Sequence, residues 1–339
     1  MANLFIEGWE PFPVGALNTN SGSPWQVGSS VGSNFIAVRN NAPISFGNYL
    51  NITDVSASST AYRFFGSQTE VYFGFAVVFG AFDSTGAGSG LGVMGVSGSD
   101  SLTLTVWVNA VGQLVVWRGT TLQATDTERT LTTGTKYYIE GKVTPTTYEI
   151  LLDGVLVLSG SITSIGDLGY AFVRKGINCS SGRVDDCYWN NADGDVNNGY
   201  LGEISVVPLF PDTDESPQDW DLSSGSDAYS LIGVTPPDDG YISAQNVDDE
   251  AAFTFEEIPF PVTDIFAVQT TYRAQKESSG ESAVQLSLTH GGSTETGEEN
   301  FTAETTYAWY FDNWETDPDT EEAWDPDAFD PKVTLKRTV

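Results

Sequence analysis

The chain has 339 residues, 40% of them apolar and 12% aromatic, with 14 Lys and Arg set against 46 Asp and Glu for a net charge of −32. That charge repels nucleic-acid phosphates and anionic bilayers and argues against both as partners. One histidine and two cysteines form no cluster with catalytic or zinc-ligand spacing, so a protein that presents a surface is expected rather than a catalyst.

Thirty-five glycines and fifteen prolines punctuate the chain as turns, without a tandem repeat. No apolar run approaches the ~20 residues of a membrane-spanning helix. The start, Leu4-Phe-Ile-Glu-Gly-Trp-Glu10, has no basic region and its apolar run is broken by Glu7, so the expectation is a leaderless protein made in the cytoplasm. This length suits two β domains in series, and the reading places them at 1–211 and 212–339.

In chain order, Tyr72-Phe-Gly-Phe-Ala-Val-Val-Phe79 is an unbroken apolar run and predicts a buried strand. A glycine-rich loop over 83–90 leads to a strand at Leu91–Val96. Gly90-Leu-Gly-Val-Met-Gly95 fits Gly-x-Gly-x-x-Gly, but no helix follows to receive a pyrophosphate, so these read as loop glycines. Leu102–Val108 alternates apolar and polar residues and turns through Asn109–Gly112 into Gln113–Arg118. Lys136–Val143 pairs naturally with Thr147–Leu152, and Asp153-Gly154 is a hairpin turn into Val155–Leu158. If Ser180-Ser181-Gly182 turns a hairpin, Cys179 falls opposite Arg183 and Cys187 opposite Lys175, too far apart to bridge, and two free thiols follow. Tyr200–Pro211 reads as the closing strand of the first domain, and Pro211–Asp219 as the link.

The second domain is the acidic one: 29 acids and 5 bases lie in 211–339, against 17 acids and 9 bases before it. Its expected strands are Ala251–Phe255, Asp264–Ala274, Ser282–Thr289, Tyr307–Phe311 and Lys332–Arg337. His290-Gly-Gly-Ser reads as an exposed hairpin tip, Asp317–Glu322 as a solvated corner, and Thr320–Pro326 as the one place for a helical turn.

Glycan cleavage requires two carboxyl groups flanking the bond, which on a strand means acids two or four residues apart on one face. Glu140 and Glu149 stand alone in their strands, and Asp185-Asp186 are adjacent and point to opposite faces, so no glycosidase is expected. Trp107 and Trp117 read as core aromatics, with stacking on sugar rings as the alternative.

The order of motifs resembles a family of bacteriophage virion proteins whose N-terminal part is a concanavalin A/laminin-G-like jelly roll. The resemblance is carried by Leu4–Glu10, by Tyr137–Leu158 with its Asp-Gly turn, and by Val184-Asp-Asp-Cys-Tyr-Trp followed by a polar loop and Tyr200-Leu-Gly-Glu-Ile-Ser-Val-Val-Pro-Leu-Phe-Pro. Near the C-terminus it is carried by Ile265-Phe-Ala-Val-Gln, Arg273-Ala-Gln-Lys and Trp314–Trp324. One departure is Asp325-Pro-Asp-Ala-Phe-Asp-Pro, where relatives carry a short apolar helix.

The resemblance implies an all-β protein, a jelly-roll sandwich followed by a smaller β-sandwich. It implies a structural part of the virion, tail-side by preference, with a capsid decoration protein and a carbohydrate-binding module for host adsorption as alternatives. The implied partners are other virion proteins, further copies of the chain (a trimer as first guess) and a host surface glycan. Jelly rolls of this kind often bind Ca2+. The best candidate is the loop Asn190–Gly199, where Asp193, Asp195 and Asn197 alternate as oxygen donors, although Asp, Asn and Gly are also what an ordinary turn needs.

Overall fold

The computed structural model describes residues 3–8, 15–16, 25–27, 36–40, 48–52, 59–82, 89–97, 102–175, 180–233, 240–276, 282–297, 301–302 and 307–339. These are almost wholly antiparallel β-structure, and the chain divides into two compact units that meet at Val206–Val207.

The first unit is a β-sandwich of two antiparallel sheets. One sheet runs in the order Val155–Ser161, Thr147–Leu152, Lys136–Val143, Val71–Ala81, Ser181–Asn191, Asn48–Ile52, Ile36–Asn40 and Gly15–Ala16, with Asn3–Glu7 also paired to Ser181–Asn191. The other runs Thr121–Thr125, Leu114–Arg118, Thr103–Val108, Gly90–Gly95, Leu168–Lys175, Ser59–Gln68 and Gln26–Val27.

The apolar run of Val71–Ala81 is explained by its place between Lys136–Val143 and Ser181–Asn191, with residues 71–79 buried. Two buried indoles tie strands to distant backbone: Trp189 Nε1 donates to the Gly92 carbonyl at 3.2 Å and Trp107 Nε1 to the Ser180 carbonyl at 3.0 Å. The Asp153-Gly154 turn is where it was expected. Both residues have positive φ (48° and 75°), the two-residue hairpin geometry that matches strand twist.

Three expectations for this unit are corrected. Gly90, Gly92 and Gly95 are strand residues, not loop residues, and they let backbones approach. A Cβ at any of the three would collide with a carbonyl oxygen, of Val106, Leu104 and Ile165 respectively. Leu168–Lys175 and Ser181–Asn191 do not form a hairpin. The first lies between Gly90–Gly95 and Ser59–Gln68, the second in the other sheet, so the chain crosses between sheets there. Cys187 is buried, its thiol donating to the Asp185 carbonyl, while Cys179 lies outside the described residues. Finally, Tyr200–Phe210 forms no ladder. It is an extended strap whose Tyr200, Leu201, Ile204 and Val206 pack on Tyr72, Ala76, Val78, Tyr138 and Tyr188.

In the second unit the main sheet runs Pro211–Gln218, Glu250–Phe255, Lys332–Arg337, Ala283–His290 and Ser293–Thr296, with Phe301–Thr302 also on Ala283–His290. The expected link is therefore a strand. Pro211–Gln218 lies at the sheet edge, where proline costs no ladder bond, and its Asp214 carboxylate accepts from the backbone N–H of Ala228 and Tyr229, both at 2.7 Å. Those two residues open a helix at Ala228–Ile232, and a 3-10 turn occupies Pro326–Ala328; Thr320–Trp324 holds neither.

A two-stranded ribbon of Val268–Ala274 and Ala308–Trp314 completes the smaller sandwich. Its core sets Trp314 and Trp324 against Leu286, Leu288 and Val333, with Ile265 and Val268 alongside. Two motifs some fifty residues apart, Ile265–Gln269 and Trp314–Trp324, thus meet in one cluster, and Trp324 Nε1 donates to the Trp314 carbonyl.

Candidate functional site

The polar loop named as the best cation candidate leaves the first sheet at the end of Ser181–Asn191. It is closed by its own amides. Asn190 Nδ2 donates to the carbonyls of Asn197 and Gly199, and Asn191 Nδ2 to Gln68 Oε1 at 2.7 Å and to Asp193 Oδ2 at 3.1 Å. The Asp193 amide donates back to Asn191 Oδ1 at 3.0 Å. Asp193, Asp195 and Asn197 therefore share one loop, the two acids exposed and Asn197 turning the chain at a φ of 54°. Among the described residues no three His, Cys, Asp or Glu side chains form a group that could hold a metal ion.

Gln68 links this loop to an aromatic row on neighbouring strands of the second sheet. Tyr62 and Phe64 alternate along Ser59–Gln68, and Tyr170 lies across from Phe64. The Tyr62 and Tyr170 ring centres are 5.5 Å apart and nearly perpendicular; Phe64 and Tyr170 are 5.0 Å apart. Phe64 is 58% exposed. At the same end of these strands Ser67 Oγ donates to Asp167 Oδ2. The arrangement is an apolar row beside hydroxyl, amide and carboxylate groups, the chemistry that recognises a ring with one apolar face and a hydroxylated rim. Trp107 and Trp117 were expected in the core, with sugar stacking as the alternative. Trp107 is core and Trp117 half-buried; the visible signal was the ring at every second position in Tyr62-Arg63-Phe64.

The buried acids face inward. Glu7, Asp126, Glu140, Asp185, Asp186 and Asp317 are each 3% exposed or less. Each accepts from a protein donor: Trp25 Nε1, the Glu128 amide, the Tyr188 hydroxyl, the Asp186 amide, the Val206 amide and His290 Nδ1 in turn. Glu140 and Asp186 hold the strap down. Glu140 Oε1 takes the Tyr188 hydroxyl at 2.6 Å and the Gly202 amide at 2.9 Å, while Tyr188 accepts the Leu201 amide. Burial, with Glu140 beside it, pushes the Tyr188 hydroxyl well above its ordinary pKa and keeps it a donor.

His290 is not a surface residue, and Asp317 is not solvated. His290 is buried against Trp324, with Nδ1 2.8 Å from Asp317 Oδ1 and Nε2 2.7 Å from the Ala328 carbonyl. The sequence hid this because the partners come from a loop 27 residues on and a turn 38 on. Both neighbours are acceptors, so the ring holds both as an imidazolium. Burial pulls its pKa down, but the Ala328 carbonyl and Asp317, aided by Asp319, outweigh it and hold the pKa above the usual histidine value.

A raised folded pKa means the stabilisation is complete below the unfolded value of about 6.5 and is lost as pH rises through the folded one. This is the only histidine of the chain, so few other groups titrate near neutrality. Thermal melts at rising pH from 6 upward should show the second unit losing stability, and His290→Gln should flatten that dependence.

No protein-family model matches the sequence, and no curated protein matches it. Among solved structures it is similar to a sialidase at 11% identity and a TM-score of 0.41, over 57% of this chain and 19% of that one. It is also similar to the carbohydrate-binding module CBM66 from Bacillus subtilis (11% identity, TM-score 0.36, 50% and 97% covered) and to the cellulose-induced protein Cip1 (15%, 0.36, 49% and 90%). The chain thus spans less than a fifth of the sialidase's length, and at these values the likenesses transfer no site residue.

Proposed function

We propose that this chain is a non-enzymatic structural module of a bacteriophage particle, exposed on its tail side. The observation that supports the non-catalytic half is the fate of the six acids that are 3% exposed or less, each of which accepts from a backbone or side-chain donor of the fold. The virion half rests on the motif resemblance from Leu4–Glu10 through Trp314–Trp324. Fractionation of disrupted particles tests it: the chain co-purifies with tails. Recovery on capsids would instead identify a decoration protein, and absence from the particle would end the virion reading.

A second reading is favoured by the aromatic row. Tyr62, Phe64 and Tyr170 form a platform for a neutral glycan of the host surface, since a chain of net charge −32 repels anionic sugars. Stacking is worth about 1 kcal/mol per ring, so Phe64→Ala or Tyr170→Ala should each weaken retention on a neutral host polysaccharide by about five- to ten-fold. Equal retention of wild type and both variants would remove the platform from the account.

A further inference from the structure

The His290 ring stands between two acceptors, Asp317 Oδ1 at Nδ1 and the Ala328 carbonyl at Nε2. Both belong to the segment from Glu315 to Asp330, which carries eight acids and no base. Asp319 adds its charge to the ring's surroundings and is tied to the hairpin tip by Ser293 Oγ at 2.7 Å. Asp325 and Asp327 flank the 3-10 turn, and Glu295 lies on the ring's side of the hairpin, opposite Leu288. The base on the neighbouring strand, Lys332, pairs with Thr289 and therefore sits on the other face of the sheet. The imidazolium is thus a positive charge set among acids, and it joins their segment to the sheet.

We infer that His290 is a pH-operated latch: protonated, it pins the turn Pro326–Ala328 to the sheet, and on losing its proton it lets that turn go while the sheet stays formed. A neutral imidazole donates from one nitrogen only, so it can serve one of the two acceptors. Asp317 keeps the proton, because a carboxylate is the stronger acceptor and its loop is fixed independently. The Asp317 N–H donates to the Glu322 carbonyl at 2.9 Å, the Glu321 N–H to the Asp317 carbonyl at 2.8 Å and the Asp319 N–H to Asp317 Oδ1 at 2.9 Å. Nε2 then turns a lone pair on the Ala328 carbonyl 2.7 Å away, and two acceptors repel. Little else holds the turn: the Ala328 N–H reaches the Asp325 carbonyl at 3.2 Å, and the Asp327 N–H reaches Asp325 Oδ1 at 3.0 Å. Ala328 is exposed, so water takes over its carbonyl as the turn swings out, and Phe329 loosens its edge-on contact with Trp324. The latch is closed below the pH at which the ring titrates and open above it. It rests on neither the virion nor the glycan reading.

Two measurements on the full chain test it. Nitrogen NMR of the single imidazole, titrated upward from about pH 5.5, should give a midpoint above about 6.5 and a neutral ring that keeps its proton on Nδ1. Hydrogen exchange, corrected for the intrinsic pH dependence, should show the Asp327 and Ala328 amides losing protection by at least about ten-fold through the same midpoint. The amides of Leu286 and Leu335, paired within the sheet, should remain protected. His290→Gln serves one acceptor at every pH and should remove the step; if that variant does not fold, the wild-type titration decides alone. A midpoint at or below about 6.5, a neutral ring protonated on Nε2, or turn amides that open only together with Leu286 and Leu335 would overturn the latch. So would a step that survives in a folded His290→Gln.

Discussion

Gly92→Ala should abolish or severely weaken folding of the first unit. The added Cβ would collide with the Leu104 carbonyl oxygen and lie 3.1 Å from the Thr105 Cα, and these are backbone atoms of a paired strand, not a flexible side-chain end. Neither strand can yield. Gly90–Gly95 is laddered on both sides, to Thr103–Val108 and to Leu168–Lys175, and the Gly92 carbonyl also receives Trp189 Nε1. Overpacking at a well-filled site costs about 1–3 kcal/mol, and backbone collision at a sheet centre belongs at or above the top of that range. Gly199→Ala is the control, since its Cβ meets nothing within 4 Å and its φ is ordinary. A wild-type melting temperature for Gly92→Ala would mean that the two strands are not paired in this register.

Tyr188→Phe should have the next largest effect, through the strap. The lost hydroxyl leaves buried Glu140 without its 2.6 Å donor and the Leu201 amide without its acceptor. Hydrogen bonds to a buried charge are worth about 1.5–3 kcal/mol, and an orphaned amide adds to that, so a loss of about 3 kcal/mol is expected. For a unit of roughly 200 residues this lowers the melting temperature by about 6–12 °C. Limited proteolysis should then cut between Gly199 and Val206, where the wild type resists. Glu140→Gln keeps an acceptor oxygen of the same reach and should lose less. If Tyr188→Phe melts and digests like wild type, the strap is held by its apolar residues alone.

The parts legible in the sequence were those fixed by local chemistry. Asp153-Gly154 announces its hairpin because both residues take positive φ, and the apolar run Tyr72–Phe79 announces a strand buried among neighbours. Lys332–Arg337 has the bounds expected for it. Long-range pairing was not legible. Leu168–Lys175 and Ser181–Asn191 look like hairpin partners because they are close in sequence, and nothing local says they enter different sheets. Pro211–Gln218 looks like a linker because it carries no apolar side chain; it is a strand only because Glu250–Phe255 supplies the ladder.

Polar burial was equally hidden. Asp317 sits in a run that reads as solvated, and it is buried because it and the Ala328 carbonyl converge on the His290 imidazole. The aromatic row could be read as alternation in Tyr62-Arg63-Phe64, but Tyr170 joins it only through strand pairing a hundred residues on.

In the proposed function the buried carboxylates serve the fold and the exposed surface binds without cutting. Product analysis on neutral host polysaccharides incubated with the full chain measures this directly. The expected result is retention of the polymer with no new reducing ends at any time point. New reducing ends that disappear in Glu140→Gln or Asp186→Asn, with the fold intact, would show that an acid assigned here to the strap belongs to a catalyst.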